Sequence, residues 1–86
     1  MDGAEFLARY AAGETNFIGV DLRGANLKGA YLSLVNLKGA NLSSANLSGA
    51  FLGDANLLNA SGAAFLREAI FCNTIMPDGS IRNDAK

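Results

Sequence analysis

The chain has no histidine, no tryptophan, one cysteine and one proline among its 86 residues. Without histidine, the commonest zinc ligand and general base are missing, so Cys-His and Ser-His nucleophile pairs are excluded. Cys72 stands alone, which rules out an intrachain disulfide and an extracellular disulfide framework. Charge of one sign is also missing: seven basic and eight acidic residues leave a net charge of −1. A basic footprint for nucleic acid or an anionic membrane is therefore absent, as is a strong acidic field. Unbroken apolar runs reach only a few residues, far short of a membrane span. The start, "MDGAEFLARYAAGETN", carries acids early and lacks the apolar stretch of a signal peptide. These features lead to the expectation of a small cytoplasmic protein or module.

What the chain does have is leucine at every fifth position. From Phe17 the register runs through Leu22, Leu27, Leu32, Leu37, Leu42, Leu47, Leu52 and Leu57. Two residues before each of these centres lies a small or β-branched residue, most often alanine, as at Ala25, Ala30, Ala40, Ala45, Ala50 and Ala55. Directly before the centre stands Asn or Asp, as at Asn16, Asp21, Asn26, Asn36, Asn41, Asn46 and Asn56.

No ordinary element has this period. At about 100° per helical residue, leucines five apart drift by roughly 140° and scatter around the axis. On a strand, an odd spacing sends successive leucines to opposite faces. Only a chain that turns once per repeat points every leucine at one axis. Repeated turning in one sense stacks coils at about the 4.8 Å spacing of paired strands, which is a β-solenoid.

"ANLKG", "ANLSS", "ANLSG" and "DLRGA" resemble the A(D/N)LXX motif of the pentapeptide-repeat proteins. The resemblance runs from Thr15 to Asp78 and is of the kind seen in small cyanobacterial-type members or modules. It implies an all-β solenoid, a right-handed quadrilateral β-helix with four pentapeptides to a coil. It also implies a role for each position. The central Leu or Phe fills the axis, and the alanine two before it fits beside a corner that admits little more. The Asx residue bonds backbone groups at the turn, and the last two residues face solvent with glycine easing the corner.

Beyond Leu57 the beat falters. Leu57 to Leu66 spans nine residues where two repeats need ten, so a corner is shortened around Ala60 to Ala63 and Gly62 stands in for a leucine. A short helix over "AAFLREAI" is the second reading of this stretch. With four repeats to a coil the expected columns are Phe17/Leu37/Leu57/Met76, Leu22/Leu42/Gly62, Leu27/Leu47/Leu66 and Leu32/Leu52/Phe71. That makes about three coils, a stack roughly 15 Å tall at the strand spacing. Its open ends call for caps. Residues 1–14 are expected to form an N-terminal helical cap, with Asp2 and Glu5 as a capping box, Gly13 as the stop, and Phe6, Leu7 and Tyr10 on one face. Residues 15–78 form the repeat body, and 79–86 a C-terminal turn and frayed tail, with Pro77-Asp78-Gly79 returning Ile81 beside Ile75.

The chemistry is sparse. Asp21, Asp54, Glu68 and Asp78 are scattered carboxylates at solvated corners, and no phosphate-binding loop motif occurs. The sequons Asn41-Leu42-Ser43 and Asn46-Leu47-Ser48 are by-products of the repeat, and ice-binding threonine columns are missing. Lys28, Ser48 and Arg67, with Arg23 nearby, form a second, solvated face too weakly basic for nucleic acid. No catalytic residue, cofactor, metal or small-molecule substrate is expected.

One departure stands out. In the regular segment the residue before the centre is polar except at Tyr31 and Phe51, which lie four repeats apart and so fall in one column, continued by Ile70. Leu34 and Cys72 fall on the same side, completing a candidate interaction face of Tyr31, Leu34, Phe51, Ile70 and Cys72. Two readings stay open: a stacked apolar ladder that stabilises adjacent coils, or an exposed patch for a partner. The expected function is a non-enzymatic structural or protein-protein interaction module, monomeric, with an unknown protein partner or fused domains. The alternative, also drawn from the resemblance, is a DNA-mimic inhibitor of DNA gyrase. Those mimics resemble long acidic rods, whereas this stack is short and nearly neutral.

Overall fold

A computed structural model describes residues 1–62 and 64–84. Ala63, in the shortened corner, and Ala85 and Lys86, in the expected frayed tail, lie outside the described residues. Asn16 bridges Asn36, which bridges Asn56, which bridges Ile75, all in parallel. The same pattern joins Asp21, Asn41 and Ser61; then Asn26, Asn46 and Phe65; then Tyr31, Phe51 and Ile70. These four ladders define the four sides of the repeat body, taken in that order below. Each links residues twenty apart, or nineteen across the shortened corner. The columns expected from the leucine register are the ones found.

The local cause is a turn repeated at the corners of the regular repeats. Val20 N–H donates to Phe17 O, Ala25 N–H to Leu22 O and Ala45 N–H to Leu42 O, each closing a four-residue turn. The third residue of these turns has positive φ: Gly19, Gly24, Gly29, Gly39 and Gly49 lie at 68–72°. Positive φ at that position alone is the type II turn, which suits glycine. Leu34, Ser44, Asp54, Asn59, Glu68 and Asn73 adopt the same conformation with a side chain, φ 57–66°. The Asx residue before the centre steadies the turn. The Oδ1 atoms of Asn16, Asp21, Asn41 and Asn46 accept from the N–H two residues on, at 3.0–3.2 Å.

Between turns each side pairs with the next coil. Leu22 N–H donates to Asn41 O, Leu42 N–H to Ser61 O and Asn41 N–H to Val20 O. The inward leucines from Leu22 to Leu57 are at most 4% exposed, and Ala40, Ala45 and Ala50 are fully buried beside them. Each leucine removed from water in this way contributes about 1.5–3 kcal/mol. Residues 64–70 continue the coil instead of forming the alternative helix, since Phe65 bridges Asn46 and Ile70 bridges Phe51. At the shortened corner Gly62 has φ 91° and lies against Ser43.

Helix α1 (Gly3–Ala11) begins at Asp2, whose carboxylate accepts from Glu5 N–H at 2.8 Å. It packs on the first coil. Phe6 is fully buried with its ring edge-on to Phe17, centroids 4.5 Å apart. The N-terminal ammonium donates to Asp21 O, Gly3 packs against the Asn26 backbone, and Tyr10 Oη donates to Ser33 O at 2.6 Å. At the far end, β1 (Thr74–Ile75) pairs antiparallel with β2 (Ile81–Arg82), with Ile81 opposite Ile75. Thr74, buried within the stack, donates from Oγ1 to Leu52 O at 2.6 Å.

Candidate functional site

The fourth side brings the singled-out residues together. Tyr31, Phe51 and Ile70 form one ladder, and the corner after it stacks Leu34 beside Gly53 and Asp54 beside Cys72. The bonds are Leu34 N–H to Gly53 O at 3.0 Å and Asp54 N–H to Cys72 O at 2.8 Å. Cys72 is half-buried as a free thiol, with its N–H donated to Thr74 Oγ1.

The backbones align, but the side chains behave differently along the column. Tyr31 is 81% exposed, Leu34 64% and Ile70 44%, whereas Phe51 is half-buried. The Phe51 ring lies down on its own repeat: a Cβ built on Gly53 would come within 2.7 Å of the ring. Gly53 is thereby buried, an exception to the solvent-facing last two positions of the repeat. The corresponding residue after Tyr31 is Ser33, and Tyr31 stands outward instead. Among the described residues the one aromatic pair is Phe6 with Phe17. A ring-on-ring ladder through Tyr31 is not what the side chains form.

Leu34 adds strain to exposure. A bulky residue at φ 66° costs on the order of 1–2 kcal/mol relative to the right-handed region. Solvation of an exposed leucine returns nothing for that cost, and strain of this kind concentrates at functional positions.

Lys28, Gly29, Ser48, Gly49, Arg67 and Glu68 line a shallow groove of about 160 Å³ at the corner between the third and fourth sides. Among the described residues neither Lys28 nor Arg67 forms an ion pair; Arg23 pairs instead with Asp21. That pair and the Arg23 N–H pull the Asp21 carboxyl down to about 2. No described group of His, Cys, Asp and Glu could hold a metal ion, and no described helix is long and apolar enough to cross a membrane.

Phe65 escaped the sequence reading. It is 59% exposed on the third side, at the position where Asn26 and Asn46 stand below it. Its signal was present, since allowing for the one-residue deletion puts it directly before the centre Leu66.

Comparison with known proteins places this geometry in context. No curated protein matches the chain. Solved structures similar to it include two that are pentapeptide repeat proteins. One is HetL, a pentapeptide repeat protein involved in heterocyst differentiation regulation from the cyanobacterium Nostoc sp. strain PCC 7120. It shares 31% identity over 79% of this chain and 42% of its own, with a TM-score of 0.38. The other is a pentapeptide repeat protein from the Arabidopsis thaliana thylakoid lumen. It shares 25% identity over 80% of this chain and 52% of its own, with a TM-score of 0.22. The chain thus spans less than two thirds of either structure's length. The model of the family "Pentapeptide repeats" matches in eight copies, over residues 12–39 and 36–76. With a leucine at the centre of nearly every repeat and a ladder joining every fourth repeat, the chain belongs to the pentapeptide-repeat family.

Proposed function

We propose that the chain is a non-enzymatic protein-protein interaction module, built as the right-handed quadrilateral β-helix that pentapeptide-repeat proteins form. In this reading it has about three coils, with α1 closing one end and the turn at Pro77–Gly79 folding back over the other. The coil interior is filled by leucine, so no substrate pocket opens inside it among the described residues. Function then lies on the outside of the walls.

The observation that carries the reading is the 81% exposure of Tyr31. An aromatic ring standing in water where sister repeats have asparagine gains nothing for the coil. Tyrosine is also a residue type enriched at protein contacts, where one end is apolar and the other wet. Leu34, exposed and strained three residues on, supports the same side. The partner is another protein or a fused domain, met in the cytoplasm by a monomer.

The experiment compares the Tyr31→Ser/Phe51→Ser variant and the Tyr31→Ser single variant with the parent, by thermal melting and by pull-down from a native lysate. The expected result is loss of a captured protein in both variants, with the single variant melting within a few degrees of the parent. A drop in melting temperature with an unchanged set of captured proteins would leave only the stabilising ladder.

A further inference from the structure

The third coil carries a second interaction feature, which shares Ile70 with the Tyr31 side but does not involve Tyr31 itself. In the lower coils each side presents the same backbone groups to the coil above. On the third side Leu47 N–H donates to Phe65 O, Gly49 N–H to Arg67 O, and Ala45 O accepts from Phe65 N–H. On the fourth, Leu52 N–H donates to Ile70 O and Ala50 O accepts from Ile70 N–H. The equivalent groups one coil higher are the amides of Leu66, Glu68 and Phe71 and the carbonyls of Ala64 and Ala69. Among the described residues none of these has a hydrogen-bond partner.

The described part of the C-terminal segment does not cover them. Strand β2 closes the first side, where Met76 N–H also donates to Ser80 O at 2.7 Å. Asp84 N–H then takes the Phe71 carbonyl at 2.9 Å, and the Arg82 guanidinium, paired with Asp84, sits 4.5 Å over the Phe71 ring. Residues 64–70 are left as an edge.

Charges, proline or bulges normally protect such edges. Here charge is confined to the corner, at the exposed Arg67 and Glu68. On the two sides that flank it the outward residues are Phe65, 59% exposed, and Ile70, 44% exposed. Inward, Leu66 and Ala64 are only half-buried, whereas Leu27 and Leu47 beneath Leu66 are at most 1% exposed. Backbone pairing and apolar surface are thus open together, inside and outside the wall.

We propose that the edge at residues 64–70 accepts an extended segment from a partner chain as an added parallel strand, continuing the ladders of the third and fourth sides. The contact between the second and third coils is the template, so the occupant's chemistry follows from it. Following that template, an alanine-sized residue fits over Ala64, an asparagine pairs with Phe65 and a leucine covers Leu66; over Ala69, Ile70 and Phe71 the sequence is alanine, an apolar residue and leucine. A second copy of this chain is a poor donor, because residues 1–11 already pack on its first coil, with Phe6 against Phe17, the Met1 ammonium on Asp21 O, Gly3 against the Asn26 backbone and Tyr10 on Ser33 O. Strand addition of this kind takes its affinity from main-chain bonds and its selectivity from alternate side chains.

The test uses the whole chain and a synthetic peptide copying its residues 41–57, with a scrambled peptide of the same composition as control. Amide exchange followed by NMR reports on Leu66, Glu68 and Phe71. The expected result is fast exchange at these amides in the free chain and at least tenfold slowing on adding the repeat peptide. The Phe65→Lys/Ile70→Lys variant places charge on the edge; it should keep the parent's melting temperature and lose the slowing. The proposal is overturned by slow exchange in the free monomer, or by protection arising from dimers. Equal binding of the scrambled peptide, or binding unaffected by the two lysines, also overturns it, as does no binding at all. A variant of Tyr31 should bind the repeat peptide as the parent does, so failure here leaves the fourth-side reading untouched.

Discussion

Phe51 lies flat over Gly53, so close that a Cβ on the glycine would sit 2.7 Å from the ring. Gly53→Ala therefore forces the ring off the wall. The expected cost is about 1–2 kcal/mol, which corresponds to a melting temperature lower by roughly 4–16 °C for a domain of this size. The Phe51 ring resonances should shift toward those of an exposed phenylalanine. An unchanged melting temperature would mean that the ring is not held there.

Gly62 is under a harder constraint. A Cβ at that position would lie 2.5 Å from the Ser43 backbone nitrogen, at a φ of 91° that side chains rarely adopt. Gly62→Ala should cost about 2–4 kcal/mol, combining overpacking with backbone strain. Urea denaturation measures it, and a loss below about 0.5 kcal/mol, the range of neutral surface changes, would contradict the close approach.

Leu34 predicts the opposite sign. It holds the position that glycine holds in Gly29 and Gly39, at φ 66°. Leu34→Gly should raise stability by up to about 1 kcal/mol, because the relieved strain exceeds glycine's entropic cost. Partner capture should weaken in the same variant. Stabilisation without any loss of capture would remove Leu34 from the interaction face.

The Phe6 ring is fully buried against Phe17. Phe6→Ala should cost about 3–5 kcal/mol, and Tyr10→Phe about 1 kcal/mol through loss of the bond to Ser33 O. Thermal melting of the two variants checks the ranking. An indifferent Phe6→Ala would mean that α1 contributes nothing to the stack.

Acid sensitivity should be low and traceable. With no histidine, no side chain of that type titrates between pH 5 and 7. Asp21 is held down to about 2, first by the Arg23 side chain and then by its N–H. Asp78 is lowered by the Ser80 hydroxyl and then the Ser80 N–H. A depressed carboxylate stabilises the fold above its unfolded value, near 3.8, and loses that contribution as pH falls toward 2. Both groups are exposed, so the effect is small and screened by salt. Asp21→Asn keeps the acceptor for Arg23 N–H and should flatten the melting profile between pH 4 and 2. An identical acid slope in that variant would place the sensitivity elsewhere.

Leucine spacing alone determined the coil. A five-residue period fits neither helix nor strand, so each leucine had to occupy its own side of one axis. Tyr31 and Phe51, twenty residues apart, announced the register that their parallel bridge displays. The nine-residue step from Leu57 to Leu66 likewise announced the shortened corner, and the Asn46–Phe65 bridge shows the ladder resuming one residue early.

Tertiary structure alone decided which outward residues meet solvent. Tyr31 and Phe51 occupy equivalent places in one column, yet one stands 81% exposed while the other reclines over Gly53. The Phe51 ring rests where Gly53 carries no side chain, whereas the matching residue after Tyr31 is Ser33, and a repeat register does not contain such neighbours. The half-buried Leu66 is a second case. It reads as one more central leucine, and only the path of β2 and Asp84, over the first side and Phe71 but not over residues 64–70, leaves it and its backbone open.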